Sequence, residues 1–169
     1  MQLGTRGRYA VMAMTDLARH QPCAGNACRG AVALADIAAR QQISLNYLEQ
    51  IFARLRREGL VISARGPGGG YRLARSAADT CVADIIRAVD EPIHAVRCGA
   101  TERQGCMAGG EKCLTHDLWD ALGRTIHDFL AGVSLADVVE RRVGGAGRPA
   151  GPAIVSAPGA SGPGEALVA

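Results

Sequence analysis

At 169 residues the chain has room for one domain, or for a small domain with an appended helix and tail, and a core of that size needs no disulfide staples. No apolar run is long enough to cross a bilayer and residues 1–8 lack the apolar stretch of a secretory signal, so a cytoplasmic protein with reduced thiols and no membrane partner is expected. The net charge of +3 hides an asymmetry: residues 1–75 carry eleven arginines against four acids, a net of +7, while residues 76–143 come to −4, so the first half is expected to face a polyanion.

From Thr5 to about His20 the pattern predicts a first helix, with the Thr5 hydroxyl as N-cap and Val11, Met14, Leu17 and Ala18 on one face. The next loop contains Pro22, Gly25 and Gly30. It also holds Cys23 and Cys28, read as unliganded loop thiols, with a redox-sensitive pair as the alternative. Val32 to Arg40 reads as a short second helix with Leu34, Ile37 and Ala38 inward, and Gln41 to Ile43 makes a turn. Ser44 then caps a third helix, with Leu45, Leu48, Phe52 and Leu55 on one stripe and Gly59 at its end.

The outer face of this third helix carries Asn46, Tyr47, Glu49, Gln50, Arg54, Arg56 and Arg57. Amide and carboxylate groups can read base edges in a major groove, and guanidinium groups pair with phosphates or guanine, which is the composition of a recognition helix. An ordinary amphipathic surface helix would look similar alone. Here, however, residues 60–65 and 71–74 flank a run of Gly and Pro at 66–70, which reads as a hairpin with a tip almost free of side chains. Such a wing lets Arg65 at its base and Arg72 on the return strand approach a backbone or a narrow minor groove. A phosphate-cradling nucleotide loop would need a Lys followed by Ser or Thr and a helix behind it, and neither is present.

Val82 to Val89 predicts a fourth helix with Ile85, Ile86 and Val89 inward, ended by Asp90, Glu91 and Pro92, and Cys81 ahead of it reads as a small buried residue. The segment that follows holds Cys98, Cys106, Cys113 and His116, separated by seven, six and two residues and interspersed with Gly99, Gly105, Gly109 and Gly110. Three soft thiolates and an imidazole form a metal-ligand constellation that suits zinc or an iron-sulfur cluster. The wide gaps differ from the tight knuckles of structural zinc sites and favour a cluster. From Thr115 to about Leu130, Leu118, Leu122, Ile126 and Phe129, with Ala121 and Thr125, form an apolar face too broad to stay wet. The same helix of a second subunit is the expected partner, with packing inside the chain as the alternative. Leu135 to Arg141 adds a short helix.

The expected fold is mainly α with a small β wing: a winged helix-turn-helix DNA-binding domain over 1–80, a cluster-binding loop with a long dimerisation helix over 81–143, and a disordered Gly/Pro/Ala tail over 144–169. No nucleophile, base and orienter set appears outside the Cys/His segment, so an enzyme is not expected. An electron carrier could use the same ligands, but it has no need of a basic helix-turn-helix and wing.

The segments Thr5–Met14, Ile43–Gln50, Arg65–Tyr71 and Cys113–Trp119 together resemble the iron-sulfur-cluster regulators among the bacterial winged-helix transcription factors, over residues 1–143. The resemblance implies a homodimer bound to double-stranded promoter DNA, with one 2Fe-2S cluster per subunit received from cluster-donating assembly machinery. Repression of the cluster-assembly operon is the implied role. Carried over by position, the ligands are Cys98, Cys106, Cys113 and His116, although the first two gaps exceed the family's usual five and five. The base readers are Asn46, Glu49 and Gln50, the minor-groove arginine is Arg65, and Ser44, Tyr47 and Arg56 match backbone-contacting places. The first three segments also mark nitric-oxide and thiol or redox sensors of the same fold, which is the alternative function.

Overall fold

The computed structural model describes residues 4–21, 23–24, 27–28, 30–89, 107 and 111–144. Cys98, Cys106, the expected helix stop at Asp90–Pro92 and the tail from residue 145 lie outside the described residues. In chain order the elements are α1 (Thr5–His20), β1 (Cys23–Ala24), β2 (Ala27–Cys28), α2 (Leu34–Gln41), α3 (Leu45–Arg57), β3 (Val61–Ala64), β4 (Gly70–Leu73), α4 (Val82–Ala88), α5 (His116–Ala131) and α6 (Leu135–Val139). The fold is thus mostly helical, with β3 and β4 paired antiparallel as the wing.

Helix α1 is the hub, packed against α2, α3, β4, α4 and α6. It can serve several partners because Ala10 and Ala13 are small and fully buried beside Met14 and Leu17, which lets neighbouring backbones come close. Val11 and Ala18, expected inside, are only half-buried. Gly4 occupies the N-cap position without a side-chain bond and Thr5 is already helical, so the expected Thr5 cap does not form.

Helix α2 begins at Leu34, two residues later than the periodicity suggests, because the backbone of Val32 is engaged elsewhere. Val32 N–H donates to Tyr71 O and Tyr71 N–H to Val32 O, each at 2.8 Å, tying the chain ahead of α2 to the wing. The turn into α3 passes through Gln42, in the left-handed region at φ 54°. Ser44 then caps α3 as expected, its Oγ accepting from Tyr47 N–H at 3.3 Å. The helix ends with Gly59 at φ 69°, a conformation that costs glycine least.

The buried stripe of α3 is Leu48, Ile51, Phe52 and Leu55, at the i, i+3, i+4, i+7 spacing of a helix face. Leu45, expected in that stripe, lies on the first turn beyond it and is 42% exposed. Phe52 closes on the wing, its ring 4.8 Å from that of Tyr71.

The same core runs on past residue 80. Ile85, Ala88, Val89 and Leu135 pack with the buried residues of α1, α2 and α3. A short backbone pairing holds α4 and α6 together: Val82 N–H donates to Val133 O at 2.9 Å and Leu135 N–H to Thr80 O at 2.7 Å, with Cys81 opposite Ser134. Cys81 is therefore half-buried in this bridge, not sequestered in the core as expected. Ser134 and Asp137 form a reciprocal capping box that starts α6.

Candidate functional site

Two local decisions set the geometry of the helix-turn-helix. The first is the short turn that ends α2 and caps α3. The second is a charged clamp between α1 and α2, in which the carboxylate of Asp16, only 1% exposed, accepts from Arg40 Nη2 at 2.6 Å and from Arg40 Nε at 3.1 Å. It also accepts from Gln41 Nε2 at 2.7 Å. Burial alone would raise the Asp16 pKa, but the bonds from Arg40 and Gln41 and the nearby charges of Arg40 and His20 outweigh it and hold the carboxyl below the ordinary aspartate value. Because Arg40 and Gln41 are the last residues of α2, the clamp fixes where the turn begins and how α3 is presented.

On α3 the residues Asn46, Glu49, Gln50, Ala53, Arg56 and Arg57 are all exposed. Asn46, Gln50, Ala53 and Arg57 follow one another at spacings of three and four and share one stripe, flanked by Glu49 and Arg56. Gln50 Nε2 lies 3.4 Å from Asn46 Oδ1, so the two amides are already aligned along the helix. Tyr47 is half-buried, braced edge-on by Tyr9 at 5.9 Å and 83°. Ala53 is the member of this stripe that reading for polar residues missed. Its position four residues before Arg57 was the available signal, and a methyl there leaves room for a base edge or a thymine methyl.

Beside α3, the wing pairs Val61 with Leu73, Ile62 with Arg72, Ser63 with Tyr71 and Ala64 with Gly70. Arg65 follows β3 directly and is exposed, as are Gly66, Pro67 and Gly68 at the tip. Arg56, Arg57 and Arg65 form no ion pair among the described residues, which leaves their charge available to an external anion.

Of the expected ligands, Cys113 and His116 are described. Cys113 lies on the lead-in to α5 with Sγ 3.5 Å from Thr115 Oγ1, and His116 is the first residue of the helix, its N–H donating to Cys113 O at 3.0 Å. The backbone thus brings the two into one turn. Among the described residues no group of three or more His, Cys, Asp or Glu is arranged to hold a metal, and Cys98 and Cys106 fall outside them. In chemistry, a soft thiol beside an imidazole suits a thiolate-ligated iron-sulfur centre.

Helix α5 rests on α4. Gly123 is buried, Ile126 and Leu130 are half-buried, and Leu118, Trp119, Leu122 and Phe129 are exposed. Among the described residues no helix is long and apolar enough to cross a membrane.

A capped helix-turn-helix with an outward polar stripe and an adjoining Gly-rich wing defines a winged-helix DNA-binding regulator. The sequence of residues 3–141 matches Rrf2, described as an iron-dependent transcriptional regulator, and the chain belongs to that family. It is 56% identical over 141 residues to ORF2 of Azotobacter vinelandii, described as an HTH-type transcriptional regulator, covering 83% of this chain and 80% of that one. It is 51% identical over 142 residues to the HTH-type transcriptional regulator IscR of Photorhabdus laumondii, covering 84% and 81%. Among solved structures, IscR of T. potens is 37% identical, with a TM-score of 0.65 over 84% of this chain and 88% of that one. The chain is a DNA-binding transcription regulator of the IscR type.

Proposed function

We propose that this regulator works in the cytoplasm as a homodimer that binds promoter DNA according to a 2Fe-2S cluster held in each subunit by Cys98, Cys106, Cys113 and His116. Repression of the cluster-assembly operon, with assembly proteins as cluster donors, completes the reading. The observation that carries it is the placement of Cys113 and His116 in one turn at the mouth of α5, the helix whose apolar side is exposed. When bound, such a cluster supplies a redox-active iron centre ligated by thiolate and imidazole.

The chain's own residues offer a route from that site to DNA. Cys113 and His116 set the entry of α5, α5 packs on α4, and α4 shares the core that holds α1 and α3. A restraint on the first turn of α5 can therefore shift the population of dimer arrangements and, with it, the spacing of two recognition helices. A second copy of α5 covers Leu118, Trp119, Leu122 and Phe129. On the DNA, Asn46, Glu49 and Gln50 read bases in the major groove, Ser44, Tyr47 and Arg56 contact the backbone, and Arg65 enters the minor groove.

The test is an anaerobic absorption spectrum with iron and acid-labile sulfide counts. Visible charge-transfer bands with about two irons and two sulfides per chain are expected, falling to near zero in Cys113→Ala with the helical signal unchanged. A colourless protein, or one holding zinc, overturns the cluster assignment.

Glu49 carries a separate prediction. A carboxylate in the groove accepts from cytosine and repels acceptor-rich edges, so it rejects sites as well as choosing them. Glu49→Ala is expected to widen the set of sequences recovered in a binding-site selection, each discriminated base step losing about 1–3 kcal/mol. An unchanged set removes Glu49 from the readers.

A further inference from the structure

The small hairpin between α1 and α2 belongs neither to the recognition stripe nor to the Cys/His segment, and its register is informative. β1 and β2 run antiparallel with Cys23 opposite Cys28 and Ala24 opposite Ala27. Two residues, Gly25 and Asn26, lie between the strands in the sequence. Facing Cα atoms of an antiparallel pair stand about 4.5–5.5 Å apart, within the range of about 4.4–6.8 Å that a disulfide spans.

On both sides of the hairpin the chain is fastened to the wing. Gln21 Oε1 accepts from Leu73 N–H at 2.9 Å, and Val32 exchanges its two bonds with Tyr71. Whatever tightens residues 23–28 therefore acts on a segment whose two ends both hold β4.

We propose that Cys23 and Cys28 form a reversible dithiol–disulfide pair, a redox site separate from the four cluster ligands, which when closed tightens the anchorage of the wing. In a reducing compartment such a bridge is transient and responsive, not structural. It forms by exchange with a low-molecular-weight disulfide. One cysteine thiolate attacks that disulfide, expelling one small thiolate and leaving a mixed disulfide on the protein. The second cysteine thiolate then attacks the protein sulfur and expels the other. Two protein thiols become one disulfide while one small disulfide becomes two thiols, and the two protons lost by the protein are taken up by the leaving thiolates.

The experiment uses the full chain, treated anaerobically with oxidised glutathione, alkylated and digested with trypsin. Arg19 and Arg29 flank the hairpin, so both cysteines fall in the single peptide 20–29. That peptide is expected two hydrogen masses light and free of alkyl groups, and to gain two alkyl groups after dithiothreitol. Cys23→Ser is expected to stop at a glutathione adduct on Cys28. Amide exchange at Val32, Tyr71 and Leu73 is expected to slow several-fold on closure in the parent protein. A stable adduct without closure, or a link from this peptide to another cysteine, overturns the pair; closure with unchanged exchange overturns its coupling to the wing. None of these readouts depends on a cluster, so their failure is distinct from failure of the cluster assignment.

Discussion

Gly70→Ala is expected to cost about 3–5 kcal/mol of folding stability, a large part of the roughly 5–15 kcal/mol available to a domain. A Cβ built on Gly70 would lie 2.2 Å from Val32 O, 2.5 Å from Val32 C and 2.9 Å from Ala33 N. All three are backbone atoms, and no side chain can swing away to relieve them. The segment 32–33 has to retreat, and with it go the two 2.8 Å bonds between Val32 and Tyr71, each contributing about 1 kcal/mol net. Backbone strain of about 1–3 kcal/mol adds to this.

Gly68→Ala is the matched control. A Cβ there meets nothing within 4 Å, and the penalty is the left-handed φ of 75° alone, about 1–2 kcal/mol. Urea denaturation of both variants gives the comparison. Equal midpoints for the two would mean that the wing does not depend on its contact with residue 32. A tip variant that folds but binds DNA poorly would instead locate the loss at the wing's contact with the backbone.

Asp16→Asn is expected to destabilise by about 2–3 kcal/mol and to blunt DNA affinity at temperatures where the fold is intact. The carboxylate is buried and receives Arg40 and Gln41 together, whereas the amide of Asn brings a neutral acceptor and two donors to a place lined by donors. Arg40 is 34% exposed, so solvent screens part of the attraction and the cost falls below that of a fully buried pair.

The clamp also makes a pH prediction. The folded pKa of Asp16 lies below its unfolded value of about 3.9, so the stabilisation is present above that value and is lost as pH falls through the folded pKa. Parent protein should therefore lose stability below about pH 4 more steeply than Asp16→Asn does. Parallel acid titrations of the two would show the clamp to be dispensable. Because α2 ends in Arg40 and Gln41, a loosened clamp lets the turn and the first residues of α3 drift, and the recognition stripe with them.

Much of the recognition half was legible because its signals are local. Ser44 ahead of an apolar period, Gly59 behind it, and a Gly-rich run between two short apolar strands are each decided within a few residues, and α3 and the wing formed where those signals lie. The Cys and His spacing was equally plain as chemistry, since ligand type depends on side-chain softness and not on the fold. Where the reading missed, a distant partner had intervened. Val32 left the second helix because Tyr71, far along the chain, takes both of its backbone hydrogen-bonding groups. Leu45 left the core, and Ala10 and Ala13 entered it, because the packed partners of a helix decide which part of its apolar arc is used.

The clamp on Asp16 was invisible for the same reason. Residues 16, 40 and 41 belong to different helices, and no local rule pairs them. Register too was a tertiary gift: six residues with a cysteine at each end say little until the strands set Cys23 across from Cys28. By itself the sequence determined most of the helices and the wing, the Ser44 cap, the charge of the reading face and the ligand chemistry, all of which depend on neighbours along the chain. Only the tertiary structure decided which arc of each helix is buried, where the helix-turn-helix is pinned and which backbones touch, because those depend on contacts that close only when distant segments meet.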